Sequence, residues 1–158
     1  MSDTYRVLIL FGSESDRGTM EETARVLQSF GIPHRLESAS AHRSPDRVRD
    51  LVREAPSQGA QVIIAAAGMA NHLAGAVAAH TTLPVIGVPL AGSALDGVDA
   101  LYSTVQMPAG VPVATVAIGS AGAKNAAVLA AQILAIGDRA LALKLDELKQ
   151  RLARGEKL

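Results

Sequence analysis

Tyr5-Arg6-Val7-Leu8-Ile9-Leu10-Phe11-Gly12-Ser13-Glu14-Ser15-Asp16 is the stretch on which the fold turns. Residues 5–11 are apolar on both sides of the pleat, the pattern of a strand buried on two faces. A glycine then permits a tight turn, a polar loop follows, and residues 19–30 carry a helical pattern that Gly31-Ile32-Pro33 stops. The same unit recurs down the chain. A β-prone run over residues 33–39 leads to Ser40, and a polar helix covers 45–54, with Ser44 as its N-cap and Pro45 at its first position. Strands over 61–67, 84–88 and 113–118 alternate with helices ending near residue 79, over 94–105 and over 121–136. Apolar β-runs at this rhythm predict right-handed βαβ crossovers and a parallel five-stranded sheet with helices on both faces, a three-layer α/β sandwich. A last segment, residues 138–152, places Leu141, Leu145, Leu148 and Leu152 at helical spacing, which predicts a C-terminal helix docked on its own or a neighbouring subunit. Residues 151–158 are expected to fray, and with no linker or repeat in view residues 1–158 read as one domain.

Composition narrows the function classes. Among 158 residues, Lys plus Arg and Asp plus Glu each number 15, so no basic face is available to bind nucleic acid through its phosphates. Two Phe, two Tyr and no Trp are too few for a base-stacking platform. There is no cysteine, which removes disulfides, thiolate metal sites and a Cys nucleophile and suits a cytoplasmic chain. Met1-Ser2-Asp3-Thr4 is acidic and leads straight into a strand, unlike a signal peptide, and no apolar run is long enough to span a bilayer. Alanine-rich, aromatic-poor helices suit close packing, and residues 121–136 are apolar nearly all round, which predicts a homo-oligomer that buries them.

The chemistry-bearing residues stand at strand exits. Ser40-Ala41-His42-Arg43-Ser44-Pro45 puts an imidazole and a guanidinium at the end of the second strand, facing a helix N-terminus, where open α/β sheets bind ligands. Imidazole is the side chain suited to trading protons near neutrality, and guanidinium forks onto phosphate. Together they point to chemistry on a phosphorylated small molecule. Gly12, Ser13, Ser15 and Asp16 form an anion cradle with a carboxylate able to bond ribose hydroxyls, although alone such a loop is equally a turn and helix cap. Gly68-Met69-Ala70-Asn71-His72-Leu73-Ala74-Gly75 offers small residues on which a flat ligand can lie, and an imidazole. Its alternative reading is a capped turn with His72 in a subunit contact. His34 and His80 read as structural, and the histidines lack the spacing and carboxylate company of a metal site. The three loops converge if the strand order is 2-1-3-4-5, that of flavodoxin-like sheets. Two non-catalytic readings of such a fold fit poorly. A response receiver needs an aspartate where Ala67-Gly68 ends the third strand, and a flavin carrier needs aromatic residues in these loops.

Four motifs in order carry a resemblance that spans residues 7–134. Gly12-Ser13-Glu14-Ser15-Asp16 with Met20 resembles G-S-x-S-D-x-x-x-M, and Ser40 to Pro45 resembles S-A-H-R-T-P. His72-Leu73-Ala74-Gly75 is similar to H-L-P-G, and Leu101-Tyr102-Ser103-Thr104-Val105-Gln106-Met107-Pro108 to L-Y-S-x-V-Q-M-P. These are the motifs of the PurE-type enzymes of de novo purine synthesis, the N5-carboxyaminoimidazole ribonucleotide mutases. The resemblance implies a flavodoxin-like homo-octamer with sites between subunits, no metal or organic cofactor, and transfer of carboxylate from N5 to C4 of an aminoimidazole ribonucleotide in IMP biosynthesis. By likeness His42 is the acid and base. Ser13, Ser15 and Arg43 hold the phosphate, with Gly12 beside them, and Asp16 holds the ribose. Ser40, Ala41, Gly68, His72 and Leu73 line the pocket for base and carboxylate. The third loop departs from the mutase pattern G-G-A-A-H-L-P-G. Asn71, and the lack of proline at Ala74, resemble the related carboxylases, which use free CO2 and carry S-N-x-L-S-G, whereas Arg43, His72 and the stretch Leu83-Pro84-Val85-Ile86-Gly87-Val88-Pro89 follow the mutases.

Overall fold

Both faces of every inner strand are apolar, and the chain uses them to build two cores. The computed structural model describes residues 4–158, so the reading of residues 1–3 lies outside the described residues. Five parallel strands, β1 (Val7–Phe11), β2 (His34–Ser38), β3 (Val62–Ala67), β4 (Val85–Pro89) and β5 (Ala114–Thr115), assemble in the order β2-β1-β3-β4-β5. Because side chains alternate across a strand, Val7, Ile9 and Phe11 join one core with Val62, Ile64 and Ala66. Leu8 and Leu10 join the other with Ile63 and Ala65. The register pairs Phe11 with Ser38 and with Ala66, so β1, β2 and β3 end level and their exit loops open on one edge.

Helices α1 (Arg17–Phe30), α5 (Ser120–Ala135) and α6 (Arg139–Ala153) cover the first core. Helices α2 (Pro45–Glu54) and α3 (His72–Ala78) cover the second. Ala123, Ala126, Ala127, Ala130 and Ala131 are fully buried, a seam of small residues that lets α1 approach closely enough for the Thr23 hydroxyl to donate to the Ala123 carbonyl at 2.8 Å. Helix α4 (Val98–Val105) lies directly on β4, where a Cβ at Gly87 would collide with the Thr104 methyl. Helix α6 docks on its own chain. Leu141 and Leu148 enter the first core with Leu145 against it, Lys144 Nζ donates to the Phe30 carbonyl at 2.7 Å, and Asp138 both caps α6 and pairs with Arg6 at 2.7 Å. Arg6 and the Leu141 N–H hold the Asp138 carboxyl below the usual carboxylate range.

The structure corrects five expectations. Strand β5 has two residues instead of six, because the backbone leaves the sheet edge after Thr115 to reach α5, bonding β4 only at Val116 and Gly119 on the way. Helix α4 begins at Val98, not residue 94, since Asp96 and Gly97 both take positive φ, which no right-handed helix contains. The N-cap position falls on Ser44 as expected, but its hydroxyl donates to the Ser40 carbonyl and accepts from the Ser40 N–H instead of capping α2. Residues 151–153 of the segment expected to fray are helical, since α6 runs to Ala153, and Arg151 and Arg154 both pair with Glu156 within that segment. Finally, α1, α6 and the sheet already cover most of the apolar circumference of α5 within one chain, so the surface that residues 121–136 leave for a second subunit is smaller than expected. Exposed large apolar side chains include Ile136, just past the end of α5, Leu143 and Leu152 on α6, Met69 in the loop after β3, and Val98, Tyr102 and Val105 along one face of α4 with Leu95 just before it. Among the described residues no helix is long and apolar enough to cross a membrane.

Candidate active site

Strand ends that finish level leave a crevice, and here it is a cavity of about 650 Å³. The loop after β1 gives it Gly12, Ser13, Ser15 and Asp16, and the loop after β2 gives Ser40, Ala41, His42 and Arg43. Gly68, His72 and Leu73 come from the loop after β3. Every site residue expected from the sequence therefore borders one space. His34, whose Nδ1 lies 2.9 Å from the Ile32 carbonyl, and His80, beyond the end of α3, do not border it.

At the first loop a single 3₁₀ turn, Glu14–Asp16, is capped by Ser13, whose Oγ accepts from the Ser15 N–H at 3.4 Å and the Ser15 hydroxyl at 3.0 Å. Asp16 is half-buried, and desolvation pushes its carboxyl above the ordinary value, partly countered by a backbone hydrogen bond from Ser13. Glu14 points its charge to Arg17 at 2.7 Å, which pulls its carboxyl down. The Glu14 charge is thus paired with Arg17, and the hydroxyls and N–H groups of the loop remain to receive an anion.

The second loop joins the other two. Arg43 donates from Nη2 to the Gly12 carbonyl at 3.0 Å, fastening it to the first loop. Its neighbour His42 reaches the opposite way, its Nε2 lying 2.6 Å from Nδ1 of His72 with the rings edge to face. One imidazole must donate and the other accept, so the pair shares a proton across the cavity wall. Ser40 supports this arrangement, its hydroxyl accepting from the Arg43 N–H at 3.2 Å.

The sequence reading missed part of the wall. Ala67, Met69 and Ala70 border the cavity, as do Ala91 and Gly92 from the loop after β4. The rule that ligands bind beyond the carboxyl ends of strands, applied to β4 as well, would have found the last two. Met69 is 66% exposed and takes φ 52°, the left-handed region where the mutase pattern has glycine. Asn71, the residue on which the third loop departs from that pattern, is fully buried and does not face the cavity. Its side-chain oxygen accepts from the Ala74 N–H, capping α3, and its Nδ2 donates to Thr104 Oγ1 at 2.9 Å. Among the described residues no group of three or more His, Asp or Glu side chains is arranged to hold a metal ion.

Comparison with known proteins converges on one group. A family model described as AIR carboxylase matches residues 6–155. The N5-carboxyaminoimidazole ribonucleotide mutase of Escherichia coli K12 is 53% identical over 142 residues, 90% of this chain and 84% of that protein. That of Haemophilus influenzae is 49% identical over 150 residues, 95% and 92% of the two chains. Among solved structures, Treponema denticola PurE superposes with a TM-score of 0.85 at 32% identity, covering 94% of this chain and 92% of that one.

Proposed function

The chain belongs to the AIR carboxylase family, and from that premise we propose that it is an N5-carboxyaminoimidazole ribonucleotide mutase, an isomerase of purine biosynthesis. The observation that carries the reading is the opposite reach of two adjacent side chains: Arg43 fastens the hydroxyl-rich loop, and His42 meets the imidazole of the small-residue loop. A ribonucleotide needs both ends. Its phosphate goes to Ser13, Ser15 and the guanidinium donors that Arg43 does not use on Gly12, its ribose to Asp16, and its flat ring against Gly68, Ala70 and Leu73.

His42 then does two things in sequence. As imidazolium it gives a proton to N5, which makes the carbamate a good leaving group, and CO2 departs with the N5–C bond broken. C4 of the electron-rich ring attacks the CO2, and the neutral imidazole takes the proton that C4 carried. The proton given to N5 stays on the amine and the one lost from C4 restores the imidazolium, so the reaction is an isomerisation with no net uptake. Walls of glycine, alanine and leucine offer no side-chain hydrogen-bonding group to hold water beside the ring. The alternative, a carboxylase using free CO2, would draw its support from Asn71. That amide is spent on Ala74 and Thr104, behind the wall, which favours the mutase.

Assembly completes the reading. The exposed apolar face of α4 carrying Val98, Tyr102 and Val105 is offered to a second copy of this chain, and the resemblance supports a homo-octamer as the full assembly. Purified protein given the N5-carboxylated ribonucleotide, with no metal or organic cofactor added, should form the C4-carboxylated product. No turnover of that compound refutes the function. Sedimentation at low micromolar concentration should show an oligomer, and a monomer alone would refute the assembly.

A further inference from the structure

Of the four motifs, Leu101-Tyr102-Ser103-Thr104-Val105-Gln106-Met107-Pro108 is the one whose residues stay out of the cavity. Its hydroxyls are nonetheless bonded to the loop that forms the cavity's apolar end. Ser103 Oγ accepts from the Asn71 N–H at 2.8 Å, and Thr104 Oγ1 accepts from Asn71 Nδ2 at 2.9 Å. Each hydroxyl spends its own proton inside α4, Ser103 on the Asp99 carbonyl at 3.0 Å and Thr104 on the Ala100 carbonyl at 2.6 Å. That fixes both as acceptors toward Asn71, so the direction of the bonds is determined. The remaining hydrogen of Nδ2 points to the Val88 carbonyl at 3.5 Å, and the amide oxygen accepts from Ala74. Asn71 and Thr104 are both fully buried, and no buried side-chain polar atom among the described residues lacks a partner. Further along the motif, Met107 packs against the backbone of α3, its sulfur 3.3 Å from where a Cβ on Gly75 would lie.

The residue after Asn71 is His72, the partner of His42. We propose that Ser103 and Thr104 are positioning residues: by holding Asn71 from behind they fix the first turn of α3, and so aim His72 and the Gly68–Ala70 wall at the ring end of the substrate. The proposal rests on the function proposed above. It explains why a family motif lies on a helix that lends no side chain to the cavity. It also gives Asn71 a part in this chain that does not require contact with CO2.

The test compares Ser103→Ala and Thr104→Val, each removing one acceptor, with Thr104→Ser, which keeps it. Turnover of the N5-carboxylated ribonucleotide gives kcat and KM, and the imidazole N–H resonances of His42 and His72 report the shared hydrogen bond without any substrate. Both hydroxyl deletions should lower kcat about ten- to a hundredfold, as a small misplacement does. They should leave KM within about twofold, because Ser13, Ser15 and Arg43 hold the phosphate from the other two loops. They should also shift or broaden the imidazole resonances, and Thr104→Ser should restore both readouts. If Thr104→Val does not fold, Ser103→Ala, at a half-buried site, carries the test. Variants that lose only thermal stability, with kcat, KM and imidazole resonances as in the parent, overturn the proposal. If the parent itself fails to turn over the compound, the function reading fails. The imidazole resonances still decide the positioning: altered by the deletions, it stands, and unaltered, it falls.

Discussion

At the end of the cavity formed by the loops after β1 and β2, polar groups are exposed and themselves face the cavity, held by bonds of Ser13 to Ser15 and Ser40 to Arg43 and by the Arg43 guanidinium on the Gly12 carbonyl. At the end formed by the loop after β3, Gly68, Ala70 and Leu73 face the cavity beside Met69 and His72, and the loop's polar support is buried behind them, with Asn71 bonded to residues more than thirty positions away on α4. A charged group can be received by donors that keep some access to water and adjust to it. A neutral ring and a CO2 molecule offer almost nothing to bond, so the wall around them must be shaped in advance by groups the substrate never meets. Substitutions at the first end should therefore change binding, and those at the second should change the chemical step.

His42 stands where the two ends join, and its loss should have the largest effect. His42→Asn removes an exposed side chain, so the fold should persist and the nucleotide should still bind, while kcat falls by roughly two to four orders of magnitude. Near-parental turnover would remove His42 from the mechanism. Arg43→Ala attacks the first end alone. It should raise KM about ten- to a hundredfold with a much smaller change in kcat, as expected when a binding contact made equally in ground and transition states is lost. If kcat fell and KM held, the division between the two ends would be wrong.

Asp16 sharpens the comparison because its burial has a stability signature. Its folded carboxyl is raised above 3.8, so the native state holds the proton more tightly than the unfolded chain does. Stability therefore falls as pH rises from about 3.8 through the raised value, and stays lower by a constant amount above it. Asp16→Asn should be slightly more stable than the parent at neutral pH, by under about 1 kcal/mol since the group is partly solvated. The difference should vanish below pH 3.8, while substrate affinity weakens at every pH. A parental carboxylate that stabilised the fold at neutral pH would contradict this.

Much of this was legible in the sequence because its causes are local. Strand-like runs ending at Gly12, Ser40 and Gly68 mark strand exits, and parallel strands bring their exits to one edge, which gathers Ser13, Ser15, Asp16, His42, Arg43 and His72. The strand order came from likeness to flavodoxin-like sheets, and the places of Ser40, Ala41, Gly68 and Leu73 came from the family resemblance. What escaped depends on contacts distant in the chain. Residues 116–118 read as strand, yet the chain must turn there to let Gly122 pass against the Ala117 carbonyl. The apolar girth of α5 read as an interface, when α1 and α6 cover most of it. Asn71 read as a departure toward the carboxylase pattern because its acceptors, Ser103 and Thr104, cannot be seen from its neighbours.

The central claim, that carboxylate passes from N5 to C4 within one cavity, is tested most directly by isotope exchange. Purified protein is given the unlabelled N5-carboxylated ribonucleotide in buffer containing labelled bicarbonate, and label in the C4 carboxylate of the product is followed against turnover. The account predicts full turnover without bicarbonate and product that acquires label slowly compared with its formation. Product whose label equilibrates fully with the buffer, and turnover that requires free CO2 and accepts the uncarboxylated ribonucleotide in place of the carbamate, would contradict it.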